Sequence, residues 1–288
     1  MLTIGAHMSI AGGYYKAVEA AAEAGCDCVQ LFTKNNNQWR AKPITDDDVD
    51  RFQNALKTLR IRAPLSHASY LINLASPDRP LWDKSIDSMV VELERAERLG
   101  IPYVVVHPGA YTTTSEARGL RKIAWAIDRV HRRLPHCRAQ ILLENTAGQG
   151  TTLGWKFEQL ARIIELCRHP ERVGVCVDTC HALAAGYGWS PPSQFDTTLE
   201  ALETHIGWNR IRALHVNDSM KPRGSRVDRH AHIGHGQIGE SGFRNIMRNA
   251  HLRKIPMYLE TPKSTDPGTG QPWDVVNLAT LRRLAGEE

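Results

Sequence analysis

Along the whole chain, short apolar runs alternate with longer stretches in which apolar residues recur every three or four positions. The runs TIGAH (3–7), CVQLF (28–32), APLSH (63–67), YVVVH (103–107), QILLE (140–144), GVCVD (174–178), IRALH (211–215) and PMYLE (256–260) predict eight buried strands. Their near-continuous hydrophobicity fits a parallel sheet covered on both faces. The intervening stretches predict helices over 14–25, 45–59, 81–100, 115–134, 155–168, 193–206, 241–250 and 273–285. Gly25 and Gly100 close two of them as C-terminal glycines do, and Thr45 followed by aspartates opens another. Eight strand–helix units in about 250 residues are the pattern of an α/β chain folded as a (β/α)8 TIM barrel. A single domain over residues 1–288 is expected, with its active site at the C-terminal rim. A doubly wound open sheet is the alternative, but no G-x-G-x-x-G follows the first strand.

Composition adds three limits. No apolar run approaches the ~18 residues that span a bilayer, and the N-terminus lacks a basic stretch followed by an apolar core. A cytoplasmic protein with no membrane partner is expected. The six cysteines are too few for a disulfide scaffold and form no pair of C-x-x-C motifs, so free thiols are expected. The net charge of +5 is compatible with a polyanionic partner without demanding one. Thirteen histidines are the unusual feature.

The last residues of the eight predicted strands are His7, Phe32, His67, His107, Glu144, Asp178, His215 and Glu260. Seven of these eight are metal-binding or acid–base types, spaced one strand–helix unit apart. In a barrel they converge on one cup at the C-terminal rim. Any one of them alone reads as a satisfied core histidine or a helix cap. Together, uncompensated carboxylates would repel one another and lose hydration, which divalent cations relieve. Carboxylate and neutral imidazole are the ligand set of zinc, and manganese at one site is the alternative. In GSRVDRHAHIGHGQIG (224–239), Asp228 and His230 stand two apart, so an extended segment puts both on one face. With His181 they make a further N/N/O set. A thiolate site at Cys176, Cys180 and His181 is disfavoured.

The motifs GAHMSIAGG, QLFTKNNNQW, LSHASYLINLASP, VVVHPG, LLENTAGQG, GVCVDTCHALAAGY, HVNDSM, GSRVDRHAHIGHGQIG and YLETP follow one another over nearly the full length. In these the chain resembles the endonuclease IV family of zinc-dependent abasic-site endonucleases. The resemblance implies three zinc ions: one on His67, His107 and Glu144, a second on Glu144, Asp178, His215 and Glu260, and a third on His181, Asp228 and His230. It implies incision of double-stranded DNA 5′ to an abasic site, giving a 3′-hydroxyl and a 5′-deoxyribose phosphate, with Glu260 and Glu144 in catalytic positions. Trimming of blocked 3′ ends, no organic cofactor and a monomer are expected with it. Gln38, Trp39, Tyr70 and Leu71 on rim loops, with Lys34, Arg226 and Arg229, are candidate DNA contacts. Asn37 stands where some relatives carry arginine, and Asn277 where an acidic residue is often found. A metal-dependent sugar isomerase or epimerase of the same barrel superfamily is the alternative enzyme, and a non-catalytic metal-dependent DNA-binding protein a third class. The trio His181, Asp228 and His230 argues against the former.

Overall fold

The computed structural model describes residues 2–287. Eight parallel strands close a barrel: β1 (Ile4–Met8), β2 (Cys28–Phe32), β3 (Arg62–His67), β4 (Tyr103–Val106), β5 (Gln140–Glu144), β6 (Val173–Asp178), β7 (Ile211–His215) and β10 (Met257–Leu259). Each pairs with the next barrel strand in chain order, and β10 closes on β1 through Ile4 and Met257. An antiparallel ribbon, β8 (Asp218–Ser219) and β9 (His230–Ala231), rises between β7 and β10. The helices are α1 (Tyr14–Glu23), α2 (Asp46–Thr58), α3 (Arg79–Leu99), α4 (Glu116–Arg133), α5 (Phe157–Leu166), α6 (Thr179–Ala185), α7 (Pro192–His205), α8 (Gly239–Arg248) and α9 (Trp273–Ala285).

Local chemistry explains where the helices begin and end. The Thr45 side chain accepts from the Asp48 backbone N–H while the Asp48 carboxylate accepts from the Thr45 N–H, a reciprocal cap on α2. Asp78 caps α3, a proline sits in its first turn, and Gly100 ends it in the left-handed conformation at φ 71°. Between these limits α3 buries Trp82, Ile86, Met89, Leu93, Ala96 and Leu99, a stripe at helical spacing that docks on the barrel.

All eight predicted strands, and eight of the nine helices among the described residues, lie where the hydrophobic pattern puts them, with small differences at the ends. The exceptions are α6 and the β8–β9 ribbon. Asp178 ends β6 and at once caps α6, its Oδ1 accepting from His181 N–H at 2.7 Å. No spacer separates strand from helix, and seven residues are too few for a period to show.

Two apolar layers result. The larger lies between barrel and helices. The smaller fills the barrel interior with Cys28, Leu65, Val105, Leu142, Cys176, Ala213 and Tyr258, one from each strand except β1. On β1 the equivalent position is Gly5, where a Cβ would collide with the Cys28 backbone carbonyl, so only glycine lets β1 and β2 approach. Gly5→Ala is therefore expected to cost about 2–3 kcal/mol or more through overpacking. Urea unfolding checks this, and an unchanged midpoint would contradict the close approach.

Candidate metal centre

Side chains alternate along a strand, so the residue two beyond each interior apolar position also points inward, one layer nearer the rim. Counting two from the smaller apolar layer gives Gln30, His67, His107, Glu144, Asp178, His215 and Glu260. The barrel thus changes from hydrocarbon to ligand chemistry in a single step. Glu144, with no solvent exposure, is the hub. Its Oε2 lies 3.1 Å from His67 Nε2 and 3.0 Å from His107 Nε2. Its Oε1 lies 2.8 Å from His215 Nδ1 and 3.3 Å from His181 Nδ1. Glu260 Oε2 is 3.2 Å from the same His215 nitrogen.

Loops complete the cup. α6 carries His181, whose Nε2 is 3.1 Å from Asp228 Oδ2, and Asp228 Oδ1 is 3.3 Å from His230 Nε2. His230 is the first residue of β9, and the ribbon is held from below by Asp218. That buried carboxylate accepts from the N–H groups of Ser219, Gly234, Gly236, Ile238 and Gly239 and so folds the glycine-rich loop around itself. Gly236 approaches Asp218 so closely that a Cβ would strike its carboxylate. Asn217 donates to Asp178 Oδ2 at 2.7 Å and accepts from Glu260 N–H at 2.7 Å, and Asn145 accepts from Asp178 N–H at 2.7 Å. These amides fix the carboxylates that face the cup. Nothing in residue type alone singled out Asp218, Asn145 or Asn217.

The donor set fits divalent cations. Ligands about 2.0–2.1 Å from a tetrahedral zinc stand about 3.3 Å from one another, which is the spacing found around Glu144 and Asp228. His67, His107 and Glu144 form one group with donor atoms within 4.8 Å of one another, and Glu144, Asp178, His215 and Glu260 form another. Asp178 joins His181 and His230 in a third such group, so Asp178 and Asp228 both face these two imidazoles. His230 Nε2 is buried without a hydrogen-bond partner while facing two carboxylates, which is the geometry of a ligand atom. Cys180 also lies near Asp228 and His230, but burial pushes its thiol up to about 12 and its Sγ faces the Arg229 carbonyl. The oxygen and nitrogen donors are the better set.

Electrostatics agree. Burial pushes the Glu144 carboxyl up, yet His215 and His107 outweigh it and hold it well below the carboxylate range. Glu260 and Asp228 are likewise lowered to about 2, against burial, by His215 and by His181 respectively. Burial lowers His181 and His215, but Asp178 and Asp228 raise the first, and Cys176, Glu260 and Glu144 the second, to well above the usual value.

Gln30 is the site residue that strand-end reasoning passes over. A carboxylate only accepts, so the contact at 2.6 Å with Glu260 Oε1 must come from Gln30 Nε2. The amide oxygen then faces His215 Nε2 at 2.8 Å, which must carry the proton. Once an ion displaces the second proton of His215, Nδ1 is the nitrogen left to ligate, and it faces Glu144 at 2.8 Å and Glu260 at 3.2 Å. The second Gln30 N–H reaches His7 Nδ1 at 3.0 Å, and burial lowers His7 to about 3, an acceptor. Its only sequence signal is one polar residue at an inward position of CVQLF. His7 and Phe32, the remaining strand ends, lie beside this network with their ring centres 4.4 Å apart and the rings tilted by 57°.

The cup opens through a cavity of about 360 Å³ lined by His67, Tyr70, His107, His181, Asp228, Arg229, His230 and Glu260. Tyr70 is 58% exposed with its ring 5.6 Å from His67, and Leu71 lies beside it half-buried. Arg229 is at the mouth, and Arg226 lies over the Trp155 ring at 4.0 Å. Gln38 is exposed, and Trp39 is half-buried beneath Lys84 at 4.4 Å. Lys34 corrects the expectation of a phosphate contact. Its buried ammonium lies 3.2 Å from Glu92 and donates to the Gln38 carbonyl at 3.0 Å, so it anchors the loop. Asn37 is exposed, whereas Asn277 is buried and accepts from Ile233 N–H and donates to Thr261. His232 stacks on Trp273 at 3.8 Å, outside the ligand groups found among the described residues.

Fold and site together define a parallel barrel with a cup of clustered histidine and carboxylate side chains at its rim, and the comparisons place it. A family model described as a xylose isomerase-like TIM barrel matches residues 18–281. Proteins named "Probable endonuclease 4" from Chloroflexus aggregans and Trichlorobacter lovleyi are 46% and 44% identical over 284 and 281 residues, covering 99% and 98% of this chain and 98% and 99% of theirs. The crystal structure of endonuclease IV from Thermus thermophilus is similar with a TM-score of 0.86 at 36% identity, covering 99% of this chain and 100% of that one. A D-tagatose 3-epimerase-like protein, 18% identical with a TM-score of 0.72 over 98% of both chains, shares the fold. The chain belongs to the endonuclease IV family of enzymes.

Two outcomes follow for metal binding. His181 and His215 are raised, so both hold protons at neutral pH until an ion displaces them. Zinc uptake should release protons, and affinity should keep rising with pH above the ordinary histidine range. A pH-independent isotherm would contradict this. Gln30→Ala should weaken zinc binding about 10- to 100-fold, as loss of a ligand-orienting partner does. Unaltered affinity by competition with a chelator would remove Gln30 from the site.

Proposed function

We propose that this chain hydrolyses the phosphodiester 5′ to an abasic deoxyribose in double-stranded DNA, leaving a 3′-hydroxyl and a 5′-deoxyribose phosphate, and that it trims blocked 3′ ends. The observation that carries this reading is the convergence of His67, His107, Glu144, Asp178, His181, His215, Asp228, His230 and Glu260 on one open cup. Three zinc ions are assigned to it, on His67, His107 and Glu144, on Glu144, Asp178, His215 and Glu260, and on His181, Asp228 and His230, with manganese an alternative at one of them. When bound, such ions lower the pKa of water and neutralise charge that builds on phosphate oxygens.

The chain's own residues supply the rest. Glu260, ionised and held by Gln30 and by the Asn217–backbone bond, accepts a hydrogen bond from the attacking water and aims its oxygen at phosphorus. The P–O bond to the 3′-oxygen breaks as the P–O bond from water forms, and the departing oxygen takes a proton. Arg229 at the mouth offers a charge to the phosphate. Tyr70 projects over the cup, where its ring can fill the stack left by a missing base, with Leu71, Gln38 and Trp39 on the neighbouring loops. An abasic site is selected because extruding it costs least where stacking is already lost. A sugar epimerase uses the same barrel but gives His181, Asp228 and His230 no task.

A duplex with one synthetic abasic site tests the proposal. Metal-dependent incision there, with an undamaged duplex left intact, is expected, and DNA binding without incision would refute it. Glu260→Gln should fold normally and slow incision about 10²- to 10⁴-fold. His230→Ala should lose about one zinc per chain by elemental analysis. Unchanged stoichiometry would mean that the outer trio holds no ion.

A further inference from the structure

The outer wall carries a second concave surface with its own chemistry. Between α3 and α4 lies a groove of about 240 Å³ lined by Arg79, Trp82, Arg118, Arg121, Lys122 and Trp125, all of them cationic or aromatic. The buried Trp82 ring is its floor, with Arg79, Lys122 and Arg129 at 5.4, 4.7 and 5.1 Å from the ring centre. Trp125 stands at its edge, 57% exposed.

Folding does not account for this arrangement. α4 already buries Leu120, Ile123, Ala124 and Ile127 on its other face. Arg118 lies in the first turn, where the helix dipole disfavours a cation, and stands three and four residues before Arg121 and Lys122, spacings at which like charges repel. One carboxylate, Asp83, takes both Arg79 at 2.6 Å and Arg129 at 2.7 Å. Among the described residues Arg118, Arg121 and Lys122 have no acidic partner in an ion pair. The Lys122 ammonium is lowered by burial and by Arg79 and Arg118, a sign of the crowding. What remains is concentrated positive charge beside a free indole face.

Position ties the groove to the cup. In a barrel the helices begin at the rim where the strands end. Arg79 opens α3 directly after the loop that carries Tyr70 and Leu71, and Arg118 lies in the first turn of α4, beyond the segment that carries His107. The groove thus lies at the rim end of α3 and α4, on the side of the barrel that carries the Tyr70 loop.

We infer that the α3–α4 groove binds single-stranded DNA flanking the incised site, with a base stacked on Trp125 and phosphates on Arg118, Arg121 and Lys122. An exposed indole takes an unpaired base, whereas bases in a duplex are already stacked, so the groove selects the single strand. The inference rests on the proposed nuclease function for its context, but not for its test.

Binding of fluorescein-labelled oligo-dT of about a dozen nucleotides is followed by anisotropy across a salt series, using the metal-loaded full chain. Trp125→Ala should weaken it at least about fivefold. Arg118→Glu with Arg121→Glu should weaken it further and flatten its salt dependence. Both variants should incise a short blunt abasic duplex within about twofold of wild type and unfold at the wild-type temperature, since neither site touches the cup. Wild-type oligo-dT affinity in both variants would overturn the inference and leave the groove to a protein partner. Equal loss of blunt-duplex incision would also overturn it, by making the groove part of duplex binding. Failure of the wild-type chain to incise while it still binds oligo-dT through Trp125 would refute the nuclease function alone.

Discussion

Glu144 sits without solvent exposure at the centre of the barrel mouth, approached by His67, His107, His181 and His215 within 3.3 Å. Three more carboxylates, Asp178, Asp228 and Glu260, crowd the same volume. Charges this close and this dry repel one another, and each has also lost its water. Imidazolium offsets some of this and divalent cations offset more, since each cation meets several ligands at once. The cup is thus a site whose stability and chemistry both call for positive charge at its centre. The rest of the structure serves to hold that arrangement still.

Holding it is the work of amides rather than charges. Asn145 and Asn217 bind Asp178 from two sides, Asn217 also anchors the Glu260 backbone, and Gln30 fixes both the Glu260 carboxylate and the nitrogen that His215 presents. Asp218 does the equivalent for the loop that carries His230, trading its own hydration for five backbone N–H groups. A neutral amide can brace a carboxylate without adding to the charge in the cup, which suits a site awaiting cations.

Much of this was legible in the sequence because two periodicities coincide. The strand–helix repeat placed the barrel, and on six strands the side chain two residues beyond the interior apolar position, at or next to the strand end, is a ligand type. His67, His107, Glu144, Asp178, His215 and Glu260 were readable for that reason. Gln30 was not, because an amide inside CVQLF lies two residues before the strand end and looks like a single polar lapse. α6 and β8–β9 were missed because so few residues show no period. Lys34 was misread because a lysine after a strand looks exposed, and only the fold brings Glu92 beneath it.

The central claim is that the nine clustered side chains share divalent cations, with Glu144 common to two of them. Anomalous diffraction at the zinc edge from crystals of the zinc-loaded protein tests it most directly. The account predicts three peaks inside the cup, two of them flanking the Glu144 carboxylate and the third between His181, Asp228 and His230. No peak at Glu144, or zinc bound only elsewhere on the surface, would contradict it.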